Sequence, residues 1–359
     1  MKVCMVVPNQ MVKGGIASVV NGYRNGDFGE RCQIIYVESY CDGSKWDKLF
    51  KALKGYVSFM GVLLFQKPDL VHIHSSFGPS FYRKMPFIYM ASMKRIPVIN
   101  HIHGAEFAAF YTNASAKKKK KIQKVYNRCD RLIALSEEWK EKLKRIVPED
   151  KITVLQNYCT IPEPLNDAFL SDKKKNQVLF LGEIGKRKGC FDIPEVLEKT
   201  DFKENGGAFV FAGDGKPEDV IEIKESLADR GLSECVSFTG WVRGEAKEKL
   251  LKESGIFFFP SYHEGMPMAV LEAMAYGMAI LTTDVGGIPR LITDGVDGYL
   301  CRPGDTKQMA DRLKELLTDT AKAEKFGRAA REKAKNRYSR ESHIKRLLQI
   351  YEEVVSKKE

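Results

Sequence analysis

Two glutamates eight positions apart, Glu264 and Glu272, enclose Gly265-Met266-Pro267-Met268-Ala269-Val270-Leu271. A glycine and a proline close behind the first carboxylate read as a ligand-binding turn running into a helix. Pro267 fits the first helical position, where no amide donor is needed. The amides of Gly265, Met266, Met268 and Ala269 then lie around a positive helix end, which holds a phosphate without a dedicated cation. Glu272, a turn or more along, is spaced to accept hydrogen bonds from a neighbouring diol such as a ribose. For the pair alone, a surface turn with two solvated glutamates is an equal reading.

Three other segments carry chemistry. Gly14-Gly15 precedes Ile16-Ala17-Ser18-Val19-Val20, a helix start where backbone can approach a ligand closely. It is not the GxGxxG dinucleotide fingerprint, so a hydride-transfer cofactor is not supported. His103-Gly104-Ala105-Glu106 falls where a strand should end, and His103 there could bond a hydroxyl or a phosphate; a core histidine is the alternative. Gly182-Glu183-Ile184-Gly185-Lys186-Arg187-Lys188-Gly189 puts three basic residues in a strand-to-helix turn, suited to a diphosphate leaving group. The pairs His72/His74 and His101/His103 could face one side of a strand, but no acidic or cysteine ligand stands at supporting spacing, so no metal site is expected.

The elements that must position these residues alternate. Strand-like runs at Lys2–Val7, Gln33–Val37, Leu70–Ile73, Pro97–Ile102, Leu132–Leu135 and Ile152–Leu155 have helical stretches between them. A second series runs through Val178–Leu181, Ala208–Ala212, Val236–Phe238, Ile256–Phe259, Ala279–Leu281 and Gly298–Leu300. A polar segment from Asn157 to Asn176, with Pro162 and Pro164, separates the two series as a linker would. Alternation of this kind predicts an α/β chain of two doubly wound, Rossmann-like domains facing across a cleft, with ligands at the carboxyl ends of the strands.

At 359 residues the chain is too long for one core and fits two. No apolar run reaches the roughly 18 to 20 residues a membrane helix needs, and the N-terminus reads as a strand, not a leader, so a cytoplasmic protein is expected. Eight scattered cysteines without a CxxC pair suggest free thiols. Residues 1–160 hold 26 Lys+Arg against 13 Asp+Glu, and the remainder 32 against 34, so the net +11 belongs to the first half. Such a basic half suits an anionic partner: a phosphorylated substrate, a membrane surface or nucleic acid. Nucleic acid is disfavoured because no aromatic platform interleaves with the basic residues. The segment Trp46–Val57 places apolar and basic residues at helical spacing, and its apolar face is expected to pack inside the first domain or, alternatively, to lie on an anionic membrane with the lysine run 117–121 as a second contact.

Seven motifs in register resemble the family 4 glycosyltransferases along nearly the whole chain. They are Gly14-Gly15, His103-Gly104, Lys188-Gly189, Gly213-Asp214-Gly215, Glu264-x7-Glu272, Asp284-Val285-Gly286-Gly287-Ile288-Pro289 and Asp294-Gly295-x-x-Gly298. The resemblance implies a GT-B fold and a retaining, hexosyltransferase-type enzyme that needs no metal or other cofactor. It implies a nucleotide-diphosphate-sugar donor, UDP-linked by preference, and a hydroxyl of a glycan or lipid-linked acceptor, in cell-surface polysaccharide or glycoconjugate synthesis. Residues 1–160 would then bind the acceptor, 161–176 form the linker, 177–335 bind the donor, and 336–359 pack back toward the first domain. By the same analogy Glu264 holds sugar hydroxyls, Glu272 the ribose, Arg187 and Lys188 the diphosphate, and His103 the sugar near the reacting centre. The amides of Gly265, Met266, Met268 and Ala269 touch sugar and phosphate, and Gly14 and Gly15 approach the donor. Two positions depart from the family: Glu183 stands where it usually has arginine, and Arg290 where it usually has glutamate. A nucleotide-sugar epimerase of similar shape and a non-catalytic nucleic-acid-binding protein are the competing functions.

Overall fold

The computed structural model describes residues 1–104, 107–162 and 173–357. The chain forms two compact units, one of Met1–Tyr158 with Arg340–Glu359 and one of Cys159–Ser339.

The first unit is built on β1 (Lys2–Val7), β2 (Gln33–Glu38), β3 (Leu70–Ser75), β4 (Val98–Ile102), β5 (Arg131–Ala134) and β6 (Ile152–Val154). These pair in parallel in the order β2-β1-β3-β4-β5-β6. The central strands β3 and β4 are buried throughout because helices cover both faces, and among their apolar residues they carry His72, His74, Asn100 and His101. Its helices are α1 (Gly15–Arg24), α2 (Lys45–Gly61), α3 (Pro79–Met93), α4 (Ala116–Tyr126) and α5 (Glu137–Leu143), with a π-helical turn at Val62–Gln66 after α2.

Alternation along the strands divides the interior. Cys4, Val6, Val71, Ile73, Val98, Ile102 and Leu132 pack with Phe59 of α2, Phe81 and Phe87 of α3, Ile122 of α4 and Trp139 of α5. On the other face, His74 meets the ring of Tyr23 from α1, 5.7 Å between centroids.

The second unit holds β7 (Lys174–Leu181), β8 (Ala208–Ala212), β9 (Val236–Phe238), β10 (Ser254–Phe259), β11 (Ala279–Thr283) and β12 (Gly298–Cys301). All pair in parallel, in the order β12-β11-β10-β7-β8-β9. Its helices are α6 (Ile193–Lys199), α7 (Pro217–Asp229), α8 (Gly244–Glu253), α9 (Met268–Ala275), α10 (Ile288–Leu291), α11 (Thr306–Thr318) and α12 (Thr320–Arg337). The strand order reverses between β7 and β10, the switch point where open α/β sheets bind ligands.

The last helix, α13 (Arg340–Val355), belongs to the first unit. Its Tyr351 hydroxyl lies 2.7 Å from His72 Nδ1 and its His343 lies 2.6 Å from the Tyr23 hydroxyl. β7 starts four residues before the run Val178–Leu181, so the expected linker ends inside a strand. The early start is held by Lys173, whose ammonium donates to the carbonyls of Leu251, Lys252 and Ser254 at 2.8 to 3.0 Å. Residues 163–172 of that linker, Pro164 among them, lie outside the described residues.

Candidate active site

The carboxyl ends of β7 and β10 stand side by side, and their loops touch backbone to backbone. Gly189, at φ +70°, lies so close that a Cβ on it would fall 1.9 Å from the carbonyl oxygen of Pro260. That approach sets Lys188 beside Glu264. The Lys188 ammonium donates to Glu264 Oε1 at 2.5 Å, and the Ser261 hydroxyl donates to the same oxygen at 2.7 Å. Both charged groups are largely removed from water, with side chains 14% and 7% exposed. Burial holds the Lys188 ammonium below its usual range, and Glu264 pulls it partly back.

Arg187 closes the outer side of this node. Its Nη1 donates to the His263 carbonyl at 3.2 Å and lies 3.8 Å from Glu264 Oε1, while its Nη2 meets Glu183 at 3.2 Å. The Arg187 carbonyl in turn accepts from the Tyr262 amide at 3.0 Å and lies 3.1 Å from the Ser261 hydroxyl oxygen. The loop after β11 supports the turn from behind: the Gly287 amide donates to the Gly265 carbonyl at 2.8 Å. At Gly286, φ +56°, a Cβ would lie 1.9 Å from the Glu264 carbonyl oxygen.

The turn then enters α9, which begins at Met268. Pro267 is its N-cap, with φ −72° and ψ 124°, not its first helical residue. The extended ψ follows from the loop geometry, since the Pro267 carbonyl must turn back to accept from the Leu271 amide at 3.4 Å. The amides without an intrahelical acceptor are therefore those of Met268, Ala269 and Val270, and Gly265 and Met266 belong to the preceding loop. Glu272 lies one turn into α9 and pairs with Lys247 of α8 at 2.8 Å.

Arg187, Lys188, Glu264, Gly265, Met266, Met268, Ala269 and Glu272 thus gather at the switch point of the second unit. The other three expected residues lie in the first unit. Gly14 caps α1 at φ 120°, and neither Gly14 nor Gly15 has an atom within 4 Å of where a Cβ would stand, so a ligand has room there. His103 follows β4, its amide donating to the Ser75 carbonyl at 2.9 Å. Its Nε2 lies 2.9 Å from His74 Nδ1. Ala105 and Glu106 lie outside the described residues.

The two His-x-His pairs come together in one column. Ring centroids are 4.3 Å apart for His72/His74, 5.1 Å for His74/His101 and 4.2 Å for His101/His103, with planes within 36° of parallel. Side-chain nitrogens of His72, His74 and His101 lie within 4.8 Å of one another. The pairs His72/His101 and His101/His103 are stacked, whereas His72/His74 and His74/His101 are tilted by 36°. Burial pushes His72 and His103 down to about 3, so both are neutral near pH 7.

Ser261 and Lys247 escaped the sequence reading. Ser261 stands three residues before Glu264, a spacing that shows only once the turn is known. Lys247 is far along the chain on another helix and carries no local signal.

Residues 163–333 match the family described as "Glycosyl transferases group 1", and residues 26–158 the one described as "Glycosyltransferase Family 4". The chain is 26% identical over 295 residues to the amylovoran biosynthesis glycosyltransferase AmsK of Erwinia amylovora, covering 79% of this chain and 70% of that protein. It is 24% identical over 377 residues to the UDP-Gal:alpha-D-GlcNAc-diphosphoundecaprenol alpha-1,3-galactosyltransferase of Escherichia coli, covering 98% and 92%. The fold is similar to that of Anabaena HepE, solved in complex with UDP, at a TM-score of 0.77 and 16% identity, covering 98% and 100%. Two doubly wound parallel sheets, a motif set in register and family matches on both units lead to one assignment: the chain belongs to the family 4 glycosyltransferases of GT-B fold.

Proposed function

We propose that the enzyme transfers a hexosyl group from a UDP-sugar to a hydroxyl of a lipid-linked glycan, with retention at the anomeric carbon, in the synthesis of a cell-surface polysaccharide. The observation that carries the donor half is the node of Lys188, Arg187, Ser261 and Glu264 before the start of α9. A cation, a carboxylate and free helix-end amides suit a sugar attached to a diphosphate. The E. coli relative, named for a UDP-galactose donor and a diphosphoundecaprenol acceptor, supports the finer reading.

In this reading the bond between the anomeric carbon and the diphosphate oxygen breaks as the acceptor oxygen attacks from the same face. The acceptor proton passes to the departing phosphate. Lys188, Arg187 and the α9 amides meet the charge that develops on the leaving group, which lowers the barrier electrostatically. Glu264 holds sugar hydroxyls, and Glu272 exchanges Lys247 for the ribose. No metal or other cofactor has a step in this scheme.

A panel of UDP-sugars tested for thermal stabilisation, followed by NMR of the product anomer, tests the reading. A matching donor at about 100 times its dissociation constant adds about 2.7 kcal/mol. With that donor, Glu272→Ala should raise KM with little change in kcat, and Glu264→Gln should lower kcat as well. Glutamine preserves the bond from Ser261, so its effect separates lost charge from lost folding. Wild-type efficiency in both variants would remove this donor site.

A further inference from the structure

The apolar face of Trp46–Val57 does not pack inside the first unit. α2 has two apolar stripes. Ala52, Gly55 and Phe59 form the buried one. Trp46, Phe50, Leu53 and Val57, at positions i, i+4, i+7 and i+11, form the other and stand 69%, 66%, 49% and 76% exposed. Leu49 flanks them, and Phe65, 85% exposed in the π-helical turn, continues the apolar surface. From Trp46 to Phe65 it runs about 28 Å at about 1.5 Å per residue.

The helix cannot rotate to hide this stripe. A Cβ on Gly55 would lie 2.8 Å from the Glu38 carbonyl oxygen and 3.2 Å from Ser39 Cα, so the α2 backbone rests directly on the end of β2. Lys51 is tied to Glu38 at 2.6 Å, and the Tyr56 hydroxyl donates to the Arg83 carbonyl of α3 at 2.9 Å. A helix apolar on opposite sides is ordinarily buried. This one is fixed with one of its apolar sides to the outside.

The surrounding charge selects the occupant. α2 contains four lysines and one acid, Asp47, which is engaged in a capping box with Ser44. Lys45 and Lys54 are exposed. α4 lies in the same helical layer, and its Lys121 ammonium sits 5.1 Å over the ring of Tyr82 on α3. The lysine run 117–121 therefore borders the layer that carries the stripe. Two copies joined through this face would oppose like charges, whereas anionic headgroups would complement them. No described helix is long and apolar enough to cross a membrane, so contact would be at the interface.

We propose that the outward stripe of α2 and the turn Val62–Gln66, flanked by the α2 and α4 lysines, is the surface by which the enzyme docks on an anionic lipid bilayer. This deepens the lipid-linked reading of the acceptor, and its test is independent of the donor. Full-length protein is sedimented with vesicles of phosphatidylcholine alone or mixed with phosphatidylglycerol, and tryptophan emission is followed, with Trp46→Phe separating Trp46 from Trp139 and Trp241. Binding should require the anionic lipid, fall with salt and shift tryptophan emission to the blue. Phe50→Glu combined with Val57→Glu should weaken partitioning at least tenfold, and alanines at Lys117–Lys121 should remove most of the salt dependence. Unchanged circular dichroism and an unchanged UDP-induced thermal shift would show both variants folded.

Equal binding to neutral vesicles, no binding to anionic ones at low salt, or full binding by the Phe50→Glu/Val57→Glu variant would overturn the proposal. So would a dimer in solution that the same variant dissociates. Vesicle binding without a UDP-sugar response would instead count against the proposed reaction and leave the docking surface standing.

Discussion

At the scale of residues, Arg187 is the group proposed to make up for the arginine that the family usually has at position 183. Glu183 reverses the charge there, yet Arg187 reaches both Glu183 and the vicinity of Glu264. The Arg187 guanidinium is thus paired, at 3.2 Å, with the carboxylate that stands at position 183. Arg187→Ala should lower kcat/KM by about 10² to 10³, the cost typical of removing one group aimed at developing charge. Adding Glu183→Arg to that variant should restore at least tenfold, measured by steady-state kinetics. A silent Arg187→Ala would refute the compensation. Glu264, Lys188 and Glu272 were legible in the sequence because one short turn sets two of them and the neighbouring strand end sets the third. Lys247 was not, because α8 brings it in from the side and chain spacing says nothing of that approach.

At the scale of elements, the twelve described strands were legible as short β-rich runs between helical stretches, most plainly the central ones, which are buried on both faces, and less so the edge strands β2, β6 and β9, which are partly exposed. The exception in extent is β7, whose first three residues are polar and exposed while the next five are buried. Periodicity found the apolar face of α2 but not its direction, since two stripes on one helix give no sign of which meets the sheet. Gly55 settles that, through a backbone contact that composition does not reveal. The loops are likewise fixed by glycines, and two of them separate conformational cost from collision. Gly295 has φ +71° with nothing within 4 Å of its Cβ position, whereas Gly286 has φ +56° and meets the Glu264 carbonyl. Gly295→Ala should cost only the left-handed backbone term, about 1–2 kcal/mol. Gly286→Ala should cost more and also lower activity by moving Glu264. Thermal melts and kinetics on the two variants check this; equal losses with full activity in both would refute it.

At the scale of the molecule, five of the six histidines lie in the first unit, and all five are held from protonating. Burial takes His72 and His103 to about 3 and His343 to about 4, with His74 and His101 well below their ordinary value. The unfolded chain therefore binds protons below its own pKa of about 6.5 that the folded unit refuses. This contribution is fully present above that pH and is lost as pH falls toward 4. Each such imidazole removes about 1.4 kcal/mol per pH unit within its window. Scanning calorimetry from pH 7 to 4.5 should show the first unit's transition moving down steeply and the second's much less, because the five histidines that burial keeps from protonating all belong to the first unit. Parallel shifts of both transitions would refute the assignment. The sequence showed these histidines as two separate pairs; the pairing of β3 with β4 brings them into one column, and the return of the last helix, which no local pattern signals, sets His343 against Tyr23 beside it.

That return also sets an order of events during synthesis. His343, Ile344, Leu347, Ile350, Tyr351 and Val354 of α13 are buried in a unit whose other residues were made some 180 positions earlier. The second unit is one uninterrupted segment and can close on itself as it leaves the ribosome. The first must wait, with Tyr23 and His72 lacking their partners, until the final helix emerges. A chain cut short at position 339 would therefore fail in the unit that was translated first.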